Sequence, residues 1–116
     1  MSVRITPGQS AQSSELRKEK LRLTNLAISL VLRRQLRTED LYQTEVCRSS
    51  GVSRTHLQKL LAGEANPSIF VLLELADSLC FADEIDLVRQ IVAERNALTP
   101  QQGFGEDKNA GESEQR

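Results

Sequence analysis

Aromatic side chains are scarce in this chain: no Trp, one Tyr and three Phe among 116 residues. A hydrophobic core must therefore come from Leu, Ile, Val and Ala, which suits a small helical domain and is unlike an all-β sandwich, where aromatic residues are enriched. Cysteine is equally sparse. Cys47 and Cys80 could pair on arithmetic, but both sit inside apolar helical patterns, where a lone Cys behaves as a small buried hydrophobe. Free thiols and a reducing cytoplasm are the expectation. His56 is the only His, and with two Cys it gives no metal-ligand spacing. There is also no Gly-rich phosphate loop and no Ser/His/Asp set in an activating context, so neither catalysis nor a metal or cofactor is expected. Finally, no run reaches the roughly 18 apolar residues of a membrane span, and Met1 to Gln12 lacks an apolar stretch of signal-peptide length.

What is present is 39% hydrophobic and 27% charged residues, close to the globular norm of about 45–50% and 25%. The length allows one compact domain. A net charge of −1 conceals an uneven distribution. From Ser14 to Glu64 ten basic residues stand against six acidic ones, a balance of +4; from Ala65 to Leu98 two stand against six, a balance of −4. A basic first half is suited to meeting phosphates, and an acidic second half to facing solvent or a protein partner.

Hydrophobic periodicity predicts an all-α chain of about five helices. Leu16, Leu23, Leu26, Ala27, Leu30 and Val31 recur at helical spacing, predicting a first helix from a Ser13 or Ser14 cap to about Leu36, with its early charged part, Glu15 to Arg22, clear of the core. Arg37 to Leu41 reads as a connector, with Thr38 a candidate cap for the next helix and Leu41 turning inward. Tyr42 to Ser49 and Arg54 to Leu61 read as two short helices separated by Gly51, which can take the left-handed conformation, with Ser53 capping the second. Ser68 caps a helix from Ile69 to Leu79, preceded by Pro67. The last helix, about Asp83 to Asn96, has acids in its first turn and Arg95 in its last, complementing the helix dipole. Met1 to Gln12 and Gln101 to Arg116, rich in Ser, Gln, Gly and Glu, have little to bury and should be a flexible arm and a disordered tail. The division is thus an arm over 1–13, a folded domain over 14–98 and a polar tail over 99–116.

Two short helices joined by a Gly turn make a bihelical corner when the first buries small residues and the second buries one face only. Gln43, Val46, Cys47, Gly51, Val52, Leu57 and Leu60 meet that description, leaving Arg54, Thr55, Gln58 and Lys59 outward, a set able to donate to guanine O6/N7, read adenine with an amide and touch phosphates. The stretch from Gln43 to Gly63, followed by Asn66-Pro67-Ser68, resembles the Cro/lambda-repressor class of helix-turn-helix regulators: a Gln opening the second helix, a small residue four later, a Gly-Val-Ser turn and an Asn-Pro-Ser lead into the fourth helix. The resemblance covers about Leu23 to Phe81. It implies a DNA-binding bundle of about five helices in which Gln43 holds a phosphate, Arg54, Thr55 and Gln58 face base edges in the major groove, Ser53 and Lys59 meet the flanking backbone, and Asn66 contacts the backbone from the loop after the recognition helix. The chain departs from the family in Cys47, where Ala is usual, in Leu61-Ala62, where an acidic or polar pair is common, and in a connector before Gln43 that reads as longer.

A single module of this size makes few base contacts, so a homodimer on a two-fold site is expected. The wide apolar arc of the last helix, Ile85, Val88, Ile91 and Val92, is the candidate interface. The leading function is a bacterial, phage or plasmid transcriptional regulator, a repressor in preference to an activator, binding double-stranded DNA. Two alternatives remain open: an antitoxin using the same fold, and a protein-interaction adaptor that no longer meets DNA, favoured by the net charge and the long connector.

Overall fold

The computed structural model describes residues 7–99, with side chains from Ser13 onward. Over these residues the chain is all-helical: α1 (Pro7–Thr38), α2 (Gln43–Ser50), α3 (Arg54–Leu61), α4 (Ile69–Ser78) and α5 (Glu84–Leu98). The expected cap at Ser13 or Ser14 is not one, because α1 already begins at Pro7, in what the sequence suggested was a flexible arm. Pro at the first helical position loses no hydrogen bond and arrives with a helical φ, and the Gln and Ala that follow extend a helix readily. Residues 1–6 and the tail 100–116 lie outside the described residues.

At about 1.5 Å per residue the 32 residues of α1 span about 48 Å. Leu23, Ala27, Ile28, Val31 and Leu32 are buried, whereas every side chain from Ser13 to Arg22 is exposed. The charged first half of α1 thus leaves the body of the domain, as its composition predicted. There Arg22 donates to Glu19 one turn back, at 3.1 and 2.8 Å, and this hydrogen bond holds the Glu19 carboxyl below its ordinary range. Such an exposed pair adds little to stability.

The core is a mainly aliphatic cluster drawn from all five helices and joined by Phe81, with Leu32, Leu57, Leu60, Leu75, Leu79 and Leu87 fully buried. Burying each such side chain stabilises by about 1.5–3 kcal/mol relative to exposure. Polar ties cross the layers. Gln35 Nε2 donates to the Leu79 carbonyl at 2.9 Å, linking α1 to the end of α4, and Arg34 bridges to Glu94 on α5 at 3.1 Å.

Two connectors differ from the sequence reading. Thr38 does not cap α2; it is the last residue of α1, and Tyr42 takes the N-cap position of α2 without a side-chain hydrogen bond. The Leu41 N–H returns to the Leu36 carbonyl at 2.9 Å, with Asp40 at a φ of 54°, a left-handed conformation that Asp tolerates better than most residues. The connector therefore runs from Glu39 to Tyr42, because α1 continues two residues beyond Leu36. Cys80 is the second difference. It does not sit buried in α4 but beyond its end, exposed, at a φ of 63°. Cys47 is half-buried against the core, and both thiols are free.

Candidate nucleic-acid interface

The corner between α2 and α3 is built by backbone needs that Gly51 and Ser50 satisfy. Gly51 adopts a φ of 78° and sends its N–H to the Cys47 carbonyl at 2.9 Å, closing α2. The Ser50 hydroxyl accepts from the Val52 N–H at 3.1 Å, and Val52 turns into the core. Ser53 then caps α3, its Oγ accepting from the His56 N–H at 3.0 Å. The predicted turn, cap and inward Val are all found here.

From that corner α3 divides cleanly. Leu57, Leu60 and Leu61 are buried, while Arg54, Thr55, Gln58 and Lys59 are exposed, and Ser53 is exposed beside them. The far end of the helix is anchored to α1: the Leu61 carbonyl accepts from Ser29 Oγ and from Arg33 Nε, the latter at 2.6 Å. Gly63 turns the chain there at a φ of 76°, where a Cβ would stand 3.8 Å from Leu26 Cα. Asn66 follows, exposed, its Nδ2 donating to Asn25 Oδ1 on α1 at 2.8 Å. The loop after α3 is thereby held against α1.

Gln43 opens α2 and is half-buried. It lines a groove of about 480 Å³ between the end of α1 and the start of α2, together with Arg33, Leu36, Arg37, Tyr42 and Leu61. The Leu61 departure from the family pattern has a partner here, since Leu36 lines the same groove and an apolar pair stands where the resemblance led one to expect a polar contact. The predicted set therefore gathers as Ser53, Arg54, Thr55, Gln58 and Lys59 on one helix, with Gln43 and Asn66 on elements that flank it.

The last helix splits the apolar arc expected to be an interface. Ile91 is in the core at 7% exposure, and Leu87 joins it. It is not available to a partner, because α5 packs this side on α1. Ile85, Val88 and Val92, spaced three and four apart, remain 61, 37 and 41% exposed. A second apolar exposure went unnoticed in the sequence: Ile69, Phe70 and Leu73 on α4, at 65, 66 and 38%. Their signal was present, because apolar residues on α4 occupy more of the helix than Leu72, Leu75, Ala76 and Leu79 need to face the core.

Residues 32–79 match a family model described as helix-turn-helix. No curated protein and no solved structure matches the chain. The match spans the end of α1 through α4, the elements that build and flank the corner.

Proposed function

Because residues 32–79 match a helix-turn-helix family model, we propose that the chain is a lambda-repressor-like, sequence-specific transcriptional regulator, a repressor that acts as a homodimer on a two-fold operator in a bacterial or phage context. The observation that carries this reading is the solvent-facing row Arg54, Thr55 and Gln58 at the start of α3, immediately after the Gly51 turn. Arg54 is suited to bidentate donation to guanine, Gln58 to pairing with adenine, and the Thr55 methyl to a thymine methyl. Gln43, Ser53, Lys59 and Asn66 are assigned to the sugar-phosphate backbone. Ser53 can serve there while capping α3, since its hydroxyl accepts from His56 and still has a proton to donate. Asn66 likewise keeps a second amide proton after its bond to Asn25.

Dimerisation is argued from energy and from surface. Each base contact contributes about 1–3 kcal/mol of discrimination, too little from one copy for high specificity. The exposed stripe Ile85, Val88 and Val92 offers a seam for a second copy, with recognition helices about 34–36 Å apart on the duplex. Free thiols at Cys47 and Cys80 suit a cytoplasmic site of action.

The test is binding of the wild type and of Arg54→Ala/Gln58→Ala to the DNA upstream of its own gene. Tight wild-type binding that the double variant loses is the expected result. No binding by either protein would overturn the proposal.

A further inference from the structure

The arginine cluster at the end of α1 is divided by the fold. Arg34 turns to α5, where it meets Glu94 at 3.1 Å and Gln90 at 3.4 Å. Arg33 and Arg37, one turn apart, instead line the groove beside Gln43. Among the described residues neither is paired with a carboxylate, and the one acid on the groove wall is Asp40. Arg33 spends its Nε on the Leu61 carbonyl, which fixes the plane of the guanidinium and leaves its two terminal nitrogens free among the described residues. Leu36 and Leu61 form the apolar part of the groove wall, and both arginines remain exposed at its mouth.

The place of the groove supplies its ligand. Leu61 is both a wall of the groove and the last residue of α3. Eight residues of helix are about 12 Å long, close to the width of a B-DNA major groove, so elements at the ends of α3 come alongside the strands that border that groove. We propose that this groove seats a DNA backbone phosphate, with Arg33 and Arg37 as its cationic walls and the Gln43 amide as a neutral donor. The proposal rests on the DNA-binding reading above and extends it to residues outside the helix-turn-helix corner. Bidentate guanidinium geometry matches a phosphate oxygen pair, and two guanidinium charges against one carboxylate leave the groove net positive.

A mixed-sequence duplex of about 24 base pairs is a sufficient probe, since a phosphate contact is indifferent to sequence. Fluorescence anisotropy from 50 to 200 mM NaCl would compare the wild type with Arg37→Gln, with Arg33→Gln/Arg37→Gln and with Arg34→Gln as the control on the other face. Arg37 is exposed and makes no anchoring bond in the described structure, so its variant folds, and thermal melts verify the double variant. Losing the one seated phosphate should flatten the log–log salt slope of the double variant by about 0.9, so that over this fourfold salt range it loses about 3.5-fold less affinity than the wild type, and Arg37→Gln should flatten it part of the way. Arg34→Gln should keep the wild-type slope. Wild-type binding with an unchanged slope in both groove variants overturns this inference and spares the DNA-binding reading; no wild-type binding at 50 mM overturns both. Millimolar inorganic phosphate is the second arm. If it perturbs the Arg33 and Arg37 Nε–H resonances while the duplex slope is indifferent to the substitutions, the groove is a free-anion site and the proposal fails.

Discussion

Replacing Gly51 with Ala isolates the backbone cost of the corner. A Cβ added there meets nothing within 4 Å, so no side-chain collision contributes. What remains is the φ of 78°, a left-handed conformation that costs an L-residue roughly 1–2 kcal/mol. Against this, Ala lowers the entropy of the unfolded chain, an effect of about 0.4–1 kcal/mol in its favour. The net loss should be about 1 kcal/mol, which for a domain of this size lowers Tm by about 4–8 °C. Urea denaturation followed by circular dichroism would measure it, with an unchanged slope marking a change in stability alone. Gly51→Asn should fall between Ala and the wild type, since Asn tolerates the left-handed region. Equal stability of Gly51→Ala and wild type, or an Asn variant weaker than Ala, would refute the argument that conformation alone makes Gly necessary here.

Further outcomes follow from burial and hydrogen bonding. Leu75→Ala, at a fully buried position on α4, should destabilise by about 2–5 kcal/mol in chemical denaturation. Ser53→Ala removes the cap of α3 and should cost about 1 kcal/mol, with a larger proportional loss of DNA affinity if its hydroxyl also meets the backbone. Val88→Asp/Val92→Asp, on the exposed stripe of α5, should give monomers in sedimentation equilibrium without loss of helicity; persistent dimers would move the seam to Ile69, Phe70 and Leu73. A double-mutant cycle on Arg34 and Glu94 should return a coupling of about 0.2–1 kcal/mol, because Arg34 is largely in solvent.

Most of the corner was legible in the sequence because its requirements are local. A left-handed turn needs Gly51, a cap needs Ser53, and a half-buried helix shows Leu57, Leu60 and Leu61 at helical spacing; each can be read within a few residues. Boundaries of α1 were less legible. Its first turns carry little that is apolar, so periodicity could not report a helix whose described side chains from Ser13 to Arg22 are exposed, and its end continues to Thr38 past the last inward Leu36. The arginine cluster was opaque for another reason. Which of Arg33, Arg34 and Arg37 faces α5 and which faces α2 depends on how the helices cross, and only the fold assigns partners such as Glu94 and the Leu61 carbonyl. Cys80 was misread because apolar neighbours in sequence do not imply burial when the chain has already left the helix.

The Leu61 carbonyl has a consequence for how sequence would be discriminated. At most helix ends such an oxygen is left to water, and the last turn can fray. Here it takes two donors from α1, and Ser53 secures the opposite end, so α3 is pinned at both termini like a bar in two clamps. On the proposed function, a recognition helix held in this way would meet an imperfect site through two adjustments: rotamers of Arg54 and Gln58, or deformation of the duplex itself. The stiffness of the protein thus passes the burden of adjustment to the DNA, and base steps that α3 never touches would enter the affinity through their ease of bending and twisting.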